Sequence, residues 1–430
     1  MSSPTIGFAG LTHLGLVSAV AAATKDLQVI GYDPDPKRVR DIAAGRLPVL
    51  EPGLDDLARR FSARLAYTDR VGDLAACDLV YVAADVPTDD RGQSDLSGIS
   101  SLIEGVIAAL RPNAFLSVLC QVPPGFTRKL PLEPGRLYCQ VETLVFGRAV
   151  ERALKPERFI VGCADPTKPL PAAYADALGA FDCPILPMRY ESAELAKIAI
   201  NCCLVASVSV ANTLADLSER IGSDWHEIAP ALRLDRRIGP HSYLNPGLGI
   251  AGGNLERDLA TVLRLAEATG SEASVIASFI NNSQTRRDWV LRLIHREVLP
   301  RNAQPTLAIL GLAYKENTHS TKNSPALALI EHLQPWPIRV YDPVVPAQTA
   351  QHRAITAAAT PLDAARESDA LVIMTPWPEF RSIVPAELKS VMSGHIVVDP
   401  FRVLDPSSCR SVGFSYFTLG TPSLDPEANS

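Results

Sequence analysis

The chain has 430 residues, a formal net charge of −6 and a sequence pI near 5.8. This length suffices for two or three domains, and the acidic balance without a stripe of Lys and Arg argues against nucleic acid as a partner. The eight Cys have neither CxxC nor Cys/His spacing, so we expect reduced thiols and no metal site. Because the first residues lack the basic and apolar regions of a secretory signal, we expect a cytoplasmic protein.

The start of the chain predicts a βαβ unit. Its parts are a strand at 5–9, a loop at 10–15, a small-residue helix at 16–23 and a strand at 28–32. Gly10 permits a tight turn, and Gly15 lets the helix pack closely with its N-terminus towards a pyrophosphate. Asp33 follows at the distance expected for an acceptor of ribose hydroxyls, which favours NAD over NADP. Thr12 stands where a middle Gly is usual, so a turn that binds nothing stays the alternative.

A stretch without Pro or Gly, Arg189–Ile221, predicts a helix on the order of 50 Å long. Residues 198–214 are apolar on nearly every face, which is typical of a helix surrounded by protein, here including a partner chain. Four polar residues interrupt the run that a membrane span needs: Lys197, Asn201, Asn212 and Asp216. We therefore expect no membrane. Lys197 and Asn201 are four apart and share one helix face, which is the first indication of a site.

A second α/β unit follows in the last third of the chain. The sequence predicts a strand at 307–310, a helix at 325–332 and strands at 338–342 and 369–377. The turn at Gly311 lacks GxGxxG, so no second NAD is expected there. Before this unit, 236–253 is rich in Gly and Pro and predicts an ordered loop rather than a linker, and 270–294 predicts one helix.

Several motifs together resemble the UDP-glucose/GDP-mannose dehydrogenase family: GLTHLGLVSA at 10–19, VPPGFTRKL at 122–130, ELAKIAIN at 194–201 and GLAYKENTHSTKNSPAL at 311–327. The resemblance covers nearly the whole chain. It implies an α/β fold with an N-terminal Rossmann NAD domain, a long central dimerisation helix and a C-terminal Rossmann-like domain.

The domain limits implied by the resemblance are 1–188 for NAD binding, 189–300 for the helical dimerisation and substrate-loop domain, and 301–420 for nucleotide-sugar binding. A disordered tail is expected at 421–430. The implied cofactor is NAD, the substrate is a GDP- or UDP-linked sugar, and the assembly is a homodimer through the central helix. Most members oxidise a C6 alcohol twice, and the second oxidation passes through a thioester on a Cys.

The resemblance also implies site residues. Those around the reacting oxygen are Lys197, Asn201, Asp258 and Glu142, with Asn254 at the Cys position. The Lys and Asn side chains would stabilise an alkoxide, either Asp258 or Lys197 would act as general base, and Glu142 would orient a water or a sugar hydroxyl. The alternative is that Lys197 only reaches towards solvent and Asp258 only pairs with Arg257 on a surface.

Two further sets of residues follow from the same resemblance. The cofactor-binding residues are Gly10, Thr12, His13, Leu14, Gly15, Asp33, Lys37, Val86, Pro87, Gln121 and Lys322. The substrate-binding residues are Leu144, Phe146, Lys197, Asn201, Arg237, Tyr243, Asn245, Gly249 and Lys315, with Arg237 reaching across from a neighbouring subunit.

The chain departs from the family pattern where the second oxidation is performed. Asn254 replaces the nucleophilic Cys, Gln121 replaces a Thr that helps hold the hydrolytic water, and Phe146 replaces a Glu. An amide cannot form a thioester, and Cys202 and Cys203 should point away from the Lys197 face. Lys322, where an Arg is usual, offers a point charge instead of a fork.

These departures predict a dehydrogenase that removes one hydride and stops. The hypothesis is oxidation of a secondary C6 alcohol to a ketone, on a GDP-octose of the kind used in lincosamide antibiotic biosynthesis. The alternatives are a primary-alcohol oxidation that stops at the aldehyde, a four-electron UDP-glucose-type oxidation to a uronate, and a non-catalytic nucleotide-sugar-binding homologue.

Overall fold

The computed structural model of the protein describes residues 3–89 and 92–422. The chain divides between Ile200 and Asn201 into two compact units. Of the predicted disordered tail at 421–430, residues 423–430 lie outside the described residues.

The first unit is built on an eight-stranded sheet in the order β3-β2-β1-β4-β5-β6-β7-β8. Its strands are β1 (Thr5–Ala9), β2 (Gln28–Tyr32), β3 (Leu65–Thr68), β4 (Leu79–Val82), β5 (Phe115–Val118), β6 (Leu137–Val141), β7 (Phe159–Cys163) and β8 (Ile185–Arg189). Its helices are α1 (His13–Ala23), α2 (Pro36–Ala43), α3 (Leu54–Arg60), α4 (Ser97–Ala109), α5 (Ala149–Leu154) and α6 (Ala172–Gly179). Neighbouring strands are parallel except for the antiparallel pair β6 and β7.

The turn between β1 and α1 brings backbone unusually close to backbone. Gly10 has φ +96°, and a Cβ there would lie 2.5 Å from the Ala84 Cβ. A Cβ on Gly15 would lie 1.8 Å from the Gly10 carbonyl oxygen. Only glycine satisfies both constraints, so the predicted roles of Gly10 and Gly15 in the turn fit this geometry. The predicted start of the helix at 16 was wrong, because Thr12 is the N-cap and His13 already begins α1.

The central stretch forms one helix, α7 (Tyr190–Ile221), as the lack of Pro and Gly predicts. Its length and apolar composition would allow a membrane span, and 39% of its most apolar window is buried within the chain. A buried core helix of a soluble fold meets the same two criteria. Several of its large apolar side chains are exposed in the single chain, among them Val210, Leu217 and Ile221.

The second unit contains a six-stranded parallel sheet in the order β11-β10-β9-β12-β13-β14. Its strands are β9 (Leu307–Leu310), β10 (Ile338–Tyr341), β11 (Ile355–Ala357), β12 (Ala370–Ile373), β13 (Ile396–Val398) and β14 (Ser415–Phe417). Its helices are α8 (Trp225–Leu234), α9 (Asn254–Thr269), α10 (Ser274–Arg287), α11 (Trp289–Leu293), α12 (Pro325–His332), α13 (Pro361–Ala365), α14 (Pro385–Val391) and α15 (Pro406–Ser411). The predicted α/β class, with two parallel sheets and a long central helix, is confirmed.

Short single turns complete the helical structure. The 3₁₀ turns are Ser62–Arg64, Val71–Ala76, Thr127–Lys129, Pro134–Arg136, Ala347–Thr349 and Pro378–Ser382, and a π turn lies at Ile294–Val298. The prediction of one helix over 270–294 was wrong. Gly270 ends α9 in the left-handed conformation at φ +70°, and the segment after it breaks into α10, α11 and the start of the π turn.

Gly394→Ala should destabilise the second unit, because the new Cβ would lie 1.8 Å from the Asp369 carbonyl oxygen, a backbone atom that cannot swing away. We expect a loss of about 1–3 kcal/mol or more, seen as a lower Tm in thermal unfolding. Gly247→Ala is the control, because nothing lies within 4 Å of its Cβ position. Equal Tm values for the two variants would contradict the packing at Gly394.

Candidate functional site

The cofactor loop lies at the carboxyl edge of the first sheet, where an open α/β sheet binds its ligand. Gly10 and Gly15 let this turn pack directly against the Ala84 backbone and the Gly10 carbonyl oxygen, which gives the tight strand–loop–helix turn of a dinucleotide site. Two predicted cofactor residues follow β4: Val86 is half-buried and Pro87 is exposed. Leu14, in the first turn of α1, packs against the core of this unit. The residues present fit a bound dinucleotide.

Asp33 is fixed by its neighbours in the same loop. Its carboxylate is 1% exposed, accepts from the Leu11 backbone N–H at 2.8 Å, and meets Arg38 Nη1 at 2.9 Å from both oxygens. The predicted Lys37 side chain is exposed, whereas Arg38 is the basic residue beside Asp33. Arg38 was not predicted, because Lys37 and Arg38 are adjacent and both basic. The sequence alone does not show which of the two side chains lies beside Asp33.

Glu51 joins the cofactor loop to the predicted substrate segment. Its carboxylate is buried, lies 2.8 Å from His13 Nε2, and accepts from the backbone N–H groups of Gly147 at 2.8 Å and Ala149 at 3.1 Å. The Phe146 ring stacks on the His13 ring with 4.1 Å between centroids. His13 and Phe146, predicted for different ligands, therefore meet. Sequence reasoning missed Glu51, which lies 38 residues from His13 along the chain.

Glu142 and Lys197 line one cavity of the first unit together with Gln121 and Cys120. Burial raises the pKa of Glu142 above its usual 4.5, while the Thr143 backbone N–H and then the Lys197 and Arg152 charges oppose the rise. The Lys197 ammonium thus acts directly on this carboxyl group. Leu144, two residues further along, packs against a neighbouring apolar cluster.

Asn201 and Asp258 are held together in the second unit. The Asn201 amide donates to Asp258 Oδ2 at 2.5 Å, and Arg257 Nε lies 3.4 Å from Asp258 Oδ1. All three side chains are buried, so the alternative of an Asp258–Arg257 pair on a surface was wrong. Asn254 is exposed at the first position of α9 and precedes Asp258 by four residues, which puts both on one helix face.

Two thiols near these groups, Cys120 and Cys202, are not prepared for nucleophilic attack, whereas Cys203 is exposed. Burial raises the pKa of Cys120 to about 12, and burial followed by the Asp258 charge raises that of Cys202 to about 11. Cys202 is therefore close enough to Asp258 to feel its charge, although helix geometry alone predicted that it points away. Both groups are protonated thiols at neutral pH, and the thiolate is the reactive form.

The predicted ordered loop at 236–253 is anchored on α10. Gly249 has φ +79°, and its Cβ position lies 2.4 Å from the Ser283 carbonyl oxygen, while Ser283 Oγ accepts from the Ile250 backbone N–H at 2.7 Å. Arg237 pairs with Asp235 and its side chain is 89% exposed. Two other residues predicted to bind substrate lie in this loop. Tyr243 is 47% exposed, and Asn245 Oδ1 accepts a hydrogen bond from Arg233 at 2.6 Å.

The turn that contains Asn254 is fastened to the turn after β9. The Gly252 backbone N–H donates to the Lys322 carbonyl at 3.1 Å, and Asn323 Nδ2 donates to Glu256. Burial raises the pKa of Glu256, and the Arg287 and Lys322 charges oppose the rise. Lys315 lies near the Tyr314 ring. Among residues 3–89 and 92–422, no cluster of His, Cys, Asp and Glu is arranged to hold a metal ion.

A parallel sheet with a tight glycine turn after β1 and an aspartate after β2, where a ribose would bind, defines a dinucleotide-binding α/β protein. Comparison with known families identifies it further. The NAD binding domain of the UDP-glucose/GDP-mannose dehydrogenase family matches residues 4–175, the central domain 191–284 and the UDP binding domain 308–406. The chain belongs to this family and is an NAD-dependent nucleotide-sugar dehydrogenase.

Individual relatives agree over the full length. The UDP-glucose 6-dehydrogenase TuaD of Bacillus subtilis is 28% identical over 97% of this chain and 94% of that protein. The UDP-glucose 6-dehydrogenase of Pseudomonas aeruginosa is 28% identical over 96% of each chain. The solved UDP-glucose dehydrogenase of Pyrobaculum islandicum superposes with a TM-score of 0.84 at 27% identity, covering 96% of this chain and 97% of that one.

Glu142→Gln tests the burial of the site carboxyl. Because the pKa of Glu142 is raised in the folded chain, the folded state holds this proton more tightly than the unfolded state. The stability that this provides is complete below the unfolded pKa and is lost as pH rises through the folded pKa. The Tm of the variant relative to the wild type should therefore rise as the pH increases through the raised folded-state pKa of Glu142, measured by differential scanning calorimetry.

The control for this experiment is Glu151→Gln, at an exposed residue whose pKa is lowered by Arg148. Its Tm relative to the wild type should show no such rise. A constant Tm difference for Glu142→Gln across the pH range would contradict a buried, proton-retaining Glu142.

Proposed function

We propose that this dehydrogenase removes a single hydride from a secondary C6 alcohol of a nucleotide sugar and releases a ketone. The observation that carries the proposal is Asn254 at the first turn of α9, on the face of Asp258, where an amide cannot attack a carbonyl. The raised pKa values of Cys120 and Cys202 support it, because neither thiol is ready to replace the missing nucleophile. A ketone has no second hydride to give, so such a nucleophile is not needed.

The proposed chemistry uses the side chains described above. NAD accepts the hydride when it is bound. The Lys197 ammonium and the Asn201 amide stabilise the alkoxide that forms as the substrate hydroxyl loses its proton. Asp258 orients the Asn201 amide through their hydrogen bond. The Asp258 carboxylate takes the proton of that hydroxyl, directly or through a bound water, and Glu142, which shares a cavity with Lys197, orients a water or a sugar hydroxyl.

The proposed substrate is a sugar of the GDP-octose type, as used in antibiotic biosynthesis. Phe146 supports this class, because an aromatic ring stacked on His13 suits a C6 substituent that is bulkier and less polar than a hydroxymethyl group. A second candidate is four-electron oxidation of a UDP-glucose-type substrate to a uronate. That candidate is favoured by the relatives named above, which are UDP-glucose 6-dehydrogenases.

The purified protein should release one NADH per sugar consumed. The measurement is NADH absorbance over a screen of GDP-, UDP- and dTDP-sugars, taken to full conversion, with the product identified by NMR as a ketone. UDP-glucose is the matched comparison, because a primary alcohol would report any second oxidation. Two NADH per sugar with a carboxylate product would establish the second candidate, and no NADH from any sugar would leave only a binding role.

We further propose that the protein acts in the cytoplasm as a homodimer through α7, with the domain limits 1–188, 189–300 and 301–420. The support for the dimer is an exposed stripe at seven-residue intervals, Cys203, Val210 and Leu217, flanked by Leu214 and Ile221. Spacing of this kind places apolar residues along one side of a helix, where a second copy can cover them.

Leu217→Asp should convert the dimer to a monomer, because it places a carboxylate in the apolar stripe. Light scattering after size exclusion should give twice 46.2 kDa for the wild type and 46.2 kDa for the variant. Leu234→Asp is the control, because Leu234 is 85% exposed but lies at the end of α8. A wild-type monomer, or an unchanged mass for Leu217→Asp, would exclude this interface.

A further inference from the structure

The N-terminus of α1 is capped by a carboxylate from another part of the chain. Thr12 occupies the N-cap position, yet its side chain makes no capping hydrogen bond to the helix. Instead, Thr12 Oγ1 accepts from the Asp85 backbone N–H at 2.8 Å, and Asp85 Oδ2 accepts from the His13 backbone N–H at 3.0 Å. Two hydrogen bonds therefore join Asp85, in the segment after β4, to Thr12 and His13 of the cofactor loop.

This pair accounts for the departure of Thr12 from the usual dinucleotide fingerprint. A glycine at position 12 would have no hydroxyl to accept the Asp85 N–H, so the segment with Asp85 would lose this anchor. Thr12 and Asp85, which are 73 positions apart in the sequence, therefore act together: the Thr12 hydroxyl holds the backbone of the residue whose carboxylate caps α1.

Asp85 lies where the pyrophosphate of a dinucleotide normally binds. The first N–H groups of a helix after a βα turn attract anions, because they have no partner within the helix and lie at the positive end of its dipole. Here the His13 N–H already donates to a carboxylate, and the Asp85 side chain is exposed at the carboxyl edge of the sheet. An incoming pyrophosphate meets both an occupied donor and a like charge.

We propose that Asp85 competes with the NAD pyrophosphate for the N-terminus of α1 and so lowers the affinity of the enzyme for its cofactor. The proposal rests on NAD binding at this turn. Asp85 is an affinity-determining residue, and the Thr12 hydroxyl positions it. Removal of its charge strengthens binding of any ligand that carries the pyrophosphate and leaves a ligand without phosphate unaffected.

Asp85→Asn tests this directly, because asparagine keeps an acceptor for the His13 N–H and removes only the charge. Isothermal titration of the full-length protein should show NAD and ADP-ribose binding about three- to tenfold more tightly to Asp85→Asn than to the wild type. Adenosine should bind both equally. The difference should shrink as NaCl is raised from about 0.1 M to 1 M, since salt screens the repulsion at an exposed site.

Two further variants control the experiment. Asp85→Ala removes charge and acceptor together and should also tighten NAD binding. Asp405→Asn removes an exposed carboxylate that caps α15 in the other unit and should leave NAD affinity unchanged. If the wild type binds NAD but Asp85→Asn binds it equally or more weakly, the competition is excluded while the proposed function stands. A wild type that binds no NAD would exclude both.

Discussion

Buried carboxylates set the geometry of several loops in the first unit. A carboxylate removed from water must be given donors in return, and in this protein the donors are largely backbone N–H groups and side chains of loops. Glu51 takes the N–H groups of Gly147 and Ala149, and Glu194 takes those of Gly125 at 2.5 Å and Thr127 at 2.9 Å. One carboxylate thus holds each loop at two backbone positions, and this also restricts the positions of the loop's side chains.

Each βαβ unit has an aspartate directly after its second strand, but the two aspartates have different side-chain partners. Asp33 follows β2 and accepts from the Leu11 N–H, and Asp342 follows β10 and accepts from the Leu312 N–H at 2.6 Å. Asp342 Oδ2 also meets Ala313 N–H at 3.1 Å and Trp377 Nε1 at 3.2 Å. The partner of the buried Asp33 is the half-exposed Arg38, whereas the partner of the half-buried Asp342 is the Trp377 indole.

The turn after β9 is packed as tightly as the turn after β1. A Cβ on Gly311 would lie 2.4 Å from the Thr375 Cβ, and Thr375 Oγ1 donates to the Ala313 carbonyl at 2.7 Å. The side chain of Thr375 therefore fills the space next to this turn. Both βαβ turns therefore press a glycine against a residue that follows the neighbouring strand, Ala84 at the first turn and Thr375 at the second.

Features that depend on local pattern were predictable from the sequence. The strands at 5–9, 28–32 and 307–310 and the helix at 325–332 have the predicted bounds, because short apolar runs between turn residues leave little choice. The start of α1 was missed, because its cap depends on Asp85, which is distant in sequence. Glu51 and Ser283 were missed for the same reason, because each acts on a residue more than 30 positions away, whereas Arg38 was missed because Lys37 beside it carries the same local signal.

The departures around His13 are physically coupled, which explains why they occur together. The His13 ring has two contacts: its Nε2 atom lies beside the Glu51 carboxylate, and the ring packs on the Phe146 ring. The backbone N–H of His13 donates to the Asp85 carboxylate. A carboxylate at position 146 would place a third acid on this one residue, close to the fully buried Glu51. Such a carboxylate would be repelled by Glu51, less strongly than in the protein interior because position 146 is exposed.

An aromatic residue at position 146 removes that repulsion and keeps the contact. Phe146 is 39% exposed, so the ring also presents an apolar surface beside the cofactor loop. Glu51, the other carboxylate that the described residues bring into hydrogen-bond distance of His13, is held by three donors. Thr12, Asp85 and Phe146 thus all bear on a single histidine, so the affinity role proposed for Asp85 and the substrate class proposed from Phe146 depend on the same residue.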